Sequence, residues 1–237
     1  MDTAQTTSAP SRPGGFFRNV RDDAAYVLPM GAFLALTWLG GQFPDLFPIA
    51  YTIKTLVAAV LLYLLWSHYT KISWDYFWTG VLVGVVGVVQ WIGTEELLLS
   101  VWPNYPRATS EPFNPFVEIE SPWLLAAFVA VRWMGPTLVV PVMEELFWRD
   151  FLWRSLIAPN DFKLARVGEW DRNAFVIVAL LFASVHMQMW VTSIVWALLI
   201  GGLLLSTRSL GACIIAHGVT NFLLGAYVLV TQDWKYW

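Results

Sequence analysis

The sequence predicts an all-α fold: a polytopic transmembrane helical bundle of about seven to eight membrane helices enclosing an intramembrane polar cavity. Three observations predict it. The chain is 57% hydrophobic and 13% charged, with a mean hydropathy of +0.58, about half the charge share of a soluble domain. Several apolar runs approach the roughly 20 residues that cross a bilayer. Fifteen Trp and eight Tyr suit membrane interfaces, where amphipathic rings settle at headgroup depth.

The elements follow in order. Residues 1–24 open on "MDTAQTTSAPSRPGG", which is polar and rich in small residues. They lack the basic start and apolar core of a cleavable signal peptide, and they predict a disordered cytoplasmic tail. Membrane helices are expected near 25–42, 46–66, 75–93, 123–157, 174–190, 191–206 and 210–232. Residues 25–122 therefore hold three helices and an outer connection, 94–122, which is Pro-rich and acidic with Arg107 its only basic residue. Residues 123–232 hold the remaining four helices, and 233–237 a short C-terminal tail. The fourth helix would reach about 52 Å at 1.5 Å per residue, longer than a bilayer needs. Pro136 and Pro141 are its natural kink points.

Loop charges set the orientation. Arg12, Arg18, Arg21, Lys71, Lys163, Arg166, Arg172 and Arg208 fall on one side, which the positive-inside rule makes cytoplasmic. The absence of a eukaryotic-style targeting segment points to a bacterial inner membrane. A net charge of −3 with no basic stripe argues against nucleic acid as a partner. The single cysteine, Cys213, excludes an internal disulfide and any multi-cysteine metal site; in its apolar run it reads as a small buried hydrophobe.

Chemistry concentrates in "PVMEELFWRDFLWRSLI", residues 141–157. An acid within a membrane helix is costly and marks a functional site by default. Glu145 and Arg149 share a helical face at i,i+4, with the acid N-terminal to the cation, the favoured order. Glu144 points about 100° away and has no basic residue at i+3 or i+4, so Glu145 is expected to be neutralised and Glu144 to stay available. A helix-end charge cluster at the interface is the plainer alternative. A second pair, Glu95 and Glu96 in "GTEELLLS", reads as structural, with Arg132 a possible partner. Asp150 has Arg154 at i+4.

Histidines discriminate. Of three, His186 and His217 lie within apolar helices. Phe182 and His186 stand at i,i+4, as do His217 and Asn221, so each pair shares a face. Measured from the cytoplasmic ends, Glu144, His186 and His217 lie about 20, 18 and 10 Å along their helices, which lets them meet in one cavity with a cytoplasmic mouth. Gly201, Gly202, Gly211 and Gly218 could allow close helix approach there, or serve ordinary membrane-helix packing.

In this order, "EELFWR", "FASVH" and "HGVTN" read as EExxxR, FxxxH and HxxxN, and they resemble the CPBP family of intramembrane glutamic endopeptidases, which includes the type II CAAX prenyl endopeptidases. The likeness covers about residues 123–225. Trp148 and Asp150 depart from the family's usual phenylalanine and glycine. The resemblance implies an endopeptidase acting on membrane-anchored or lipidated, CAAX-like peptides at the lipid bilayer. It implies that Glu144 and His186 activate a water, that His217 and Asn221 donate to the oxyanion, and that Glu145, Arg149 and Phe182 support them. No cofactor is expected. Zinc held by Glu144, His186 and His217 is the alternative, although no H-E-x-x-H pair exists. A non-catalytic immunity or scaffold protein is the second functional class. A proton-coupled transporter is the third, for which no repeated halves are visible.

Overall fold

A computed structural model describes residues 21–109 and 112–237; most of the expected N-terminal tail lies outside the described residues. The described residues form an all-helical bundle without strands. Six helical segments are long and apolar enough to cross a membrane, and a seventh apolar helix is shorter. They are α1 (Asp22–Gly41), α2 (Phe47–Leu64), α3 (Phe77–Val101), α4 (Pro122–Ile157), α5 (Arg172–Ser184), α6 (Trp190–Thr207) and α7 (Leu210–Thr231). The protein is thus a multi-pass integral membrane protein, as its composition dictates: in hydrocarbon, only a helix satisfies its own backbone polar groups.

Two helices differ from expectation in ways that shape the centre of the bundle. α5 ends at Ser184 rather than near 190. Its 13 residues span about 20 Å, and the chain then turns irregularly through 185–189 before α6. Irregular backbone within a membrane protein is tolerated where it lines a cavity. α4 is wound into π-helix twice, at Gly135–Val139 and Leu146–Leu152, around one α-helical stretch, Val140–Glu145, that carries both acids. Single π turns inside α-helices occur frequently at functional sites.

The first π turn has a cause in the sequence. Its register bonds the Val140 N–H to the Gly135 carbonyl, so the next carbonyl, that of Pro136, faces Pro141, which has no N–H to give. No proline accounts for the second π turn.

α3 and α7 make the most extensive helix pair. Gly80, Gly84 and Gly87 form a stripe on α3 against which α7 lies; a Cβ on Gly84 would stand 2.6 Å from the Val219 Cβ, and the Thr220 hydroxyl donates to the Gly84 carbonyl at 3.0 Å. Small residues permit this backbone approach. Of the glycines expected near the cavity, Gly218 packs on the Thr137 carbonyl of the first π turn, Gly201 on Phe175 and Gly211 on Ser73, while Gly202 meets open space.

The two ends of the bundle are tied differently. At the end holding the start of α1, Asp22 meets His68 at 2.9 Å and pairs with Lys163. Buried Asp150 pairs with Arg154, as its spacing suggested, and accepts from the Tyr26 hydroxyl at 2.8 Å. At the opposite end Glu95 is fully buried and accepts from Tyr105, Arg107 and Thr192 at 2.7, 2.8 and 2.9 Å. Glu96 accepts from Lys235 and Tyr236. Arg132, a possible partner for these acids from sequence, pairs with neither: it donates to the Tyr51 hydroxyl at 3.0 Å. The reason is that the connection after α3 folds back over the helix end and delivers its own cation, Arg107.

Candidate active site

Glu144 is buried, 5% exposed, on the α-helical stretch of α4. Its Oε2 has no hydrogen-bond partner among the described residues. Glu145, one position on, turns the other way: its Oε1 lies 2.8 Å from His217 Nδ1, and Arg149 approaches its two oxygens at 3.3 and 3.4 Å. The pairing of Glu145 with Arg149 that the spacing predicts is present. The His217 contact was not foreseen, because nothing in a sequence records that residues 72 positions apart meet.

Arg149 is 1% exposed, and its guanidinium stands 5.0 Å from the Phe182 ring and 5.5 Å from the Trp196 ring. Aromatic faces attract a buried cation. The same rings organise the histidines. Phe182 stacks on His186 at 4.3 Å and on Trp196 at 5.1 Å, and Trp196 meets His217 edge-on at 4.6 Å. Trp91 and Trp196, which sequence reasoning did not single out, complete this aromatic frame. Their only sequence signal is abundance of tryptophan.

His186 lies two residues beyond α5 rather than within it. Its Nδ1 is 2.9 Å from the Phe182 carbonyl; a carbonyl only accepts, so Nδ1 carries the proton and Nε2 is left as an acceptor in the neutral ring. For His217 the carboxylate at Nδ1 likewise calls for a proton there. Asn221 donates from Nδ2 to the Pro136 carbonyl at 2.8 Å, supplying the bond that Pro141 cannot. An amide nitrogen has two protons, so one remains.

Glu144, His186, His217 and Asn221 line one cavity of about 540 Å³, together with Phe182, Trp91 and Trp196. The structure therefore brings the four residues to one space, with Glu145 and Arg149 behind it. The cavity also reaches Lys54, Arg132, Met189 and Trp237, all toward the end of the bundle that holds the C-terminus. The sequence reading expected a mouth on the side of the N-terminus; the residues named here extend the cavity toward the opposite end. The loop that follows the short α5 lines this part of the cavity through Met187 and Met189.

That loop is strapped in place. The Ala108 N–H donates to the Met187 carbonyl at 3.0 Å, and the Trp190 indole to the Pro106 carbonyl at 2.6 Å. Tyr105, which anchors the strap to Glu95, has its phenol pushed up to about 12 by burial and by the carboxylate it serves, so it stays a donor.

Among the described residues no three His, Cys, Asp or Glu side chains group as a metal site.

Residues 125–223 match the family model "Type II CAAX prenyl endopeptidase Rce1-like". No curated protein and no solved structure matches the chain. The matched stretch runs from the start of α4 into α7 and contains all seven residues singled out above; α1 to α3 lie outside it.

Proposed function

We propose that this chain, with residues 125–223 matching the Rce1-like type II CAAX prenyl endopeptidases, is an intramembrane endopeptidase of glutamic type that hydrolyses peptide bonds of membrane-anchored, CAAX-like substrates. One observation carries the reading: a buried carboxylate with an unpartnered oxygen, Glu144, lines the same cavity as two imidazoles whose Nδ1 atoms are already engaged.

In this reading a water lies between Glu144 and His186. Glu144 takes one proton as the water oxygen attacks the scissile carbonyl carbon, and His186 Nε2 accepts the water's other hydrogen bond and orients it. The carbonyl π electrons move to oxygen. His217 Nε2–H and the second Asn221 proton donate to that oxyanion, contacts of a kind worth about 3 kcal/mol each. This step uses the doubly protonated ring of His217, with Nδ1–H toward Glu145 and Nε2–H toward the oxyanion. The proton held by Glu144 then passes to the departing amine as the C–N bond breaks, which restores the carboxylate. The route needs no metal.

The test uses the full chain in lipid nanodiscs with prenylated and unprenylated CAAX peptides, read by mass spectrometry. Wild type is expected to cleave and Glu144→Gln to lose activity by at least about a thousandfold while keeping its melting temperature. Activity is expected to survive exhaustive chelation. Full activity in Glu144→Gln, or loss on chelation reversed by zinc, would overturn the reading.

A further inference from the structure

Among the described residues, two cations in the cavity have no acidic partner. Lys54 on α2 donates to the Thr37 hydroxyl at 3.0 Å, and its ammonium stands 4.5 Å from both the Phe33 and Tyr51 rings. Arg132 on α4 stands 4.4 Å from the same Tyr51 ring and 5.4 Å from Trp237, and its buried Nε has no hydrogen-bond partner among the described residues. The neighbouring cations are different: Arg107 is paired with Glu95, and Lys235 with Glu96 and Asp233. Lys54 and Arg132 meet no carboxylate among the described residues.

Such an arrangement is unfavourable alone. Two like charges share one aromatic ring in a half-buried place, and cation–π attraction of about 0.5–2 kcal/mol each offsets only part of what taking charge out of water costs. An anion beside them would relieve both the repulsion and the unbonded guanidinium edge. The place is also connected to the chemistry. Lys54, Arg132, Tyr51 and Trp237 line both the cavity of Glu144 and an adjoining one of about 610 Å³. Arg132 precedes Glu144 by 12 positions, about 18 Å of helix, a distance an extended peptide covers in about five residues.

We propose that Lys54 and Arg132 form an anion subsite that takes a carboxylate carried by the peptide substrate, within about five residues of the scissile bond. This rests on the endopeptidase reading. The carboxylate can come from the peptide's C-terminus or from an acidic side chain, and the aromatic walls of Phe33, Tyr51 and Trp237 accept the apolar residues beside it.

The experiment compares three fluorogenic peptides of one sequence on the full chain in nanodiscs: free C-terminal acid, C-terminal amide, and amide with one Gln replaced by Glu. The readout is the ratio of kcat/KM for each acidic peptide to the amide. Wild type is expected to favour one acidic peptide by about tenfold or more, the scale of a charge-assisted hydrogen bond, and which one identifies the source. Lys54→Gln and Arg132→Gln should each bring that ratio close to one, and Arg132→Lys should keep part of it. Should Arg132→Gln fail to fold, Lys54→Gln carries the test. A wild-type ratio near one, or a ratio that persists in Lys54→Gln, overturns the subsite. Binding of the same peptides to Glu144→Gln, read by fluorescence polarisation, separates the two readings. Charge-dependent binding lost in a Lys54→Gln/Glu144→Gln double variant, with no cleavage by wild type, sinks the endopeptidase and keeps the subsite. Binding indifferent to charge sinks the subsite.

Discussion

His217 Nδ1 lies 2.8 Å from Glu145 Oε1, so the second glutamate of the pair touches both Arg149 on its own helix and an imidazole on α7. Glu145 is 0% exposed and Arg149 1%. Removing one partner of a buried ion pair leaves the other uncompensated, which costs roughly 3–5 kcal/mol. Glu145→Gln is therefore expected to lower stability by that order and to reduce kcat. Glu145→Gln/Arg149→Met, which removes both charges, should recover most of the melting temperature and little of the cleavage rate, because His217 still lacks its carboxylate. Parallel recovery of both would assign Glu145 to stability alone.

Asn221 closes a gap left by Pro141. Asn221→Ala orphans the part-buried Pro136 carbonyl, expected to cost about 1 kcal/mol, and removes an oxyanion donor. The background Pro141→Ala restores a backbone N–H to α4. There, Asn221→Ala should cost less stability while its effect on kcat/KM persists, a coupling that a double-mutant cycle of melting temperatures and rates resolves. Equal attenuation of both effects would mean that Asn221 serves only the helix.

Glu95 holds the strap over the loop of His186. Glu95→Gln weakens the contacts with Arg107 and Tyr105, so faster amide hydrogen exchange is expected at 185–189, along with lower activity. The α7 amides should be unaffected. Unchanged exchange in the loop would show that the strap holds without its acid.

The cavity residues Lys54, Arg132, Met189 and Trp237 lie toward the end of the bundle opposite the start of α1. Because Cys213 is fully buried, single cysteines can be added without removing it. Thr109→Cys and Thr231→Cys are expected to react with an impermeant maleimide from one face of sealed vesicles, and Lys71→Cys from the other. If the Lys/Arg-rich loops are cytoplasmic, as the positive-inside rule directs, Lys71→Cys marks the cytoplasmic face. Labelling of all three from one face would contradict the bundle.

Composition and spacing determined a good deal by themselves. Apolar length dictates helices, since the bilayer leaves no alternative backbone solution, and all seven appear. The i,i+4 pairs Glu145–Arg149 and Asp150–Arg154 were legible because helix geometry places them together whatever surrounds them. The four candidate catalytic residues follow from motif spacing and resemblance alone. Tertiary structure alone decided what depends on meetings between helices: that His217 turns its Nδ1 to Glu145, that Asn221 answers a carbonyl freed by Pro141, that α5 stops short so His186 sits in a loop, and that Arg132 stands with Lys54 instead of Glu95. Local periodicity fixes which face a side chain occupies, but the partner across that face is chosen by packing, which the order of residues along one helix does not encode.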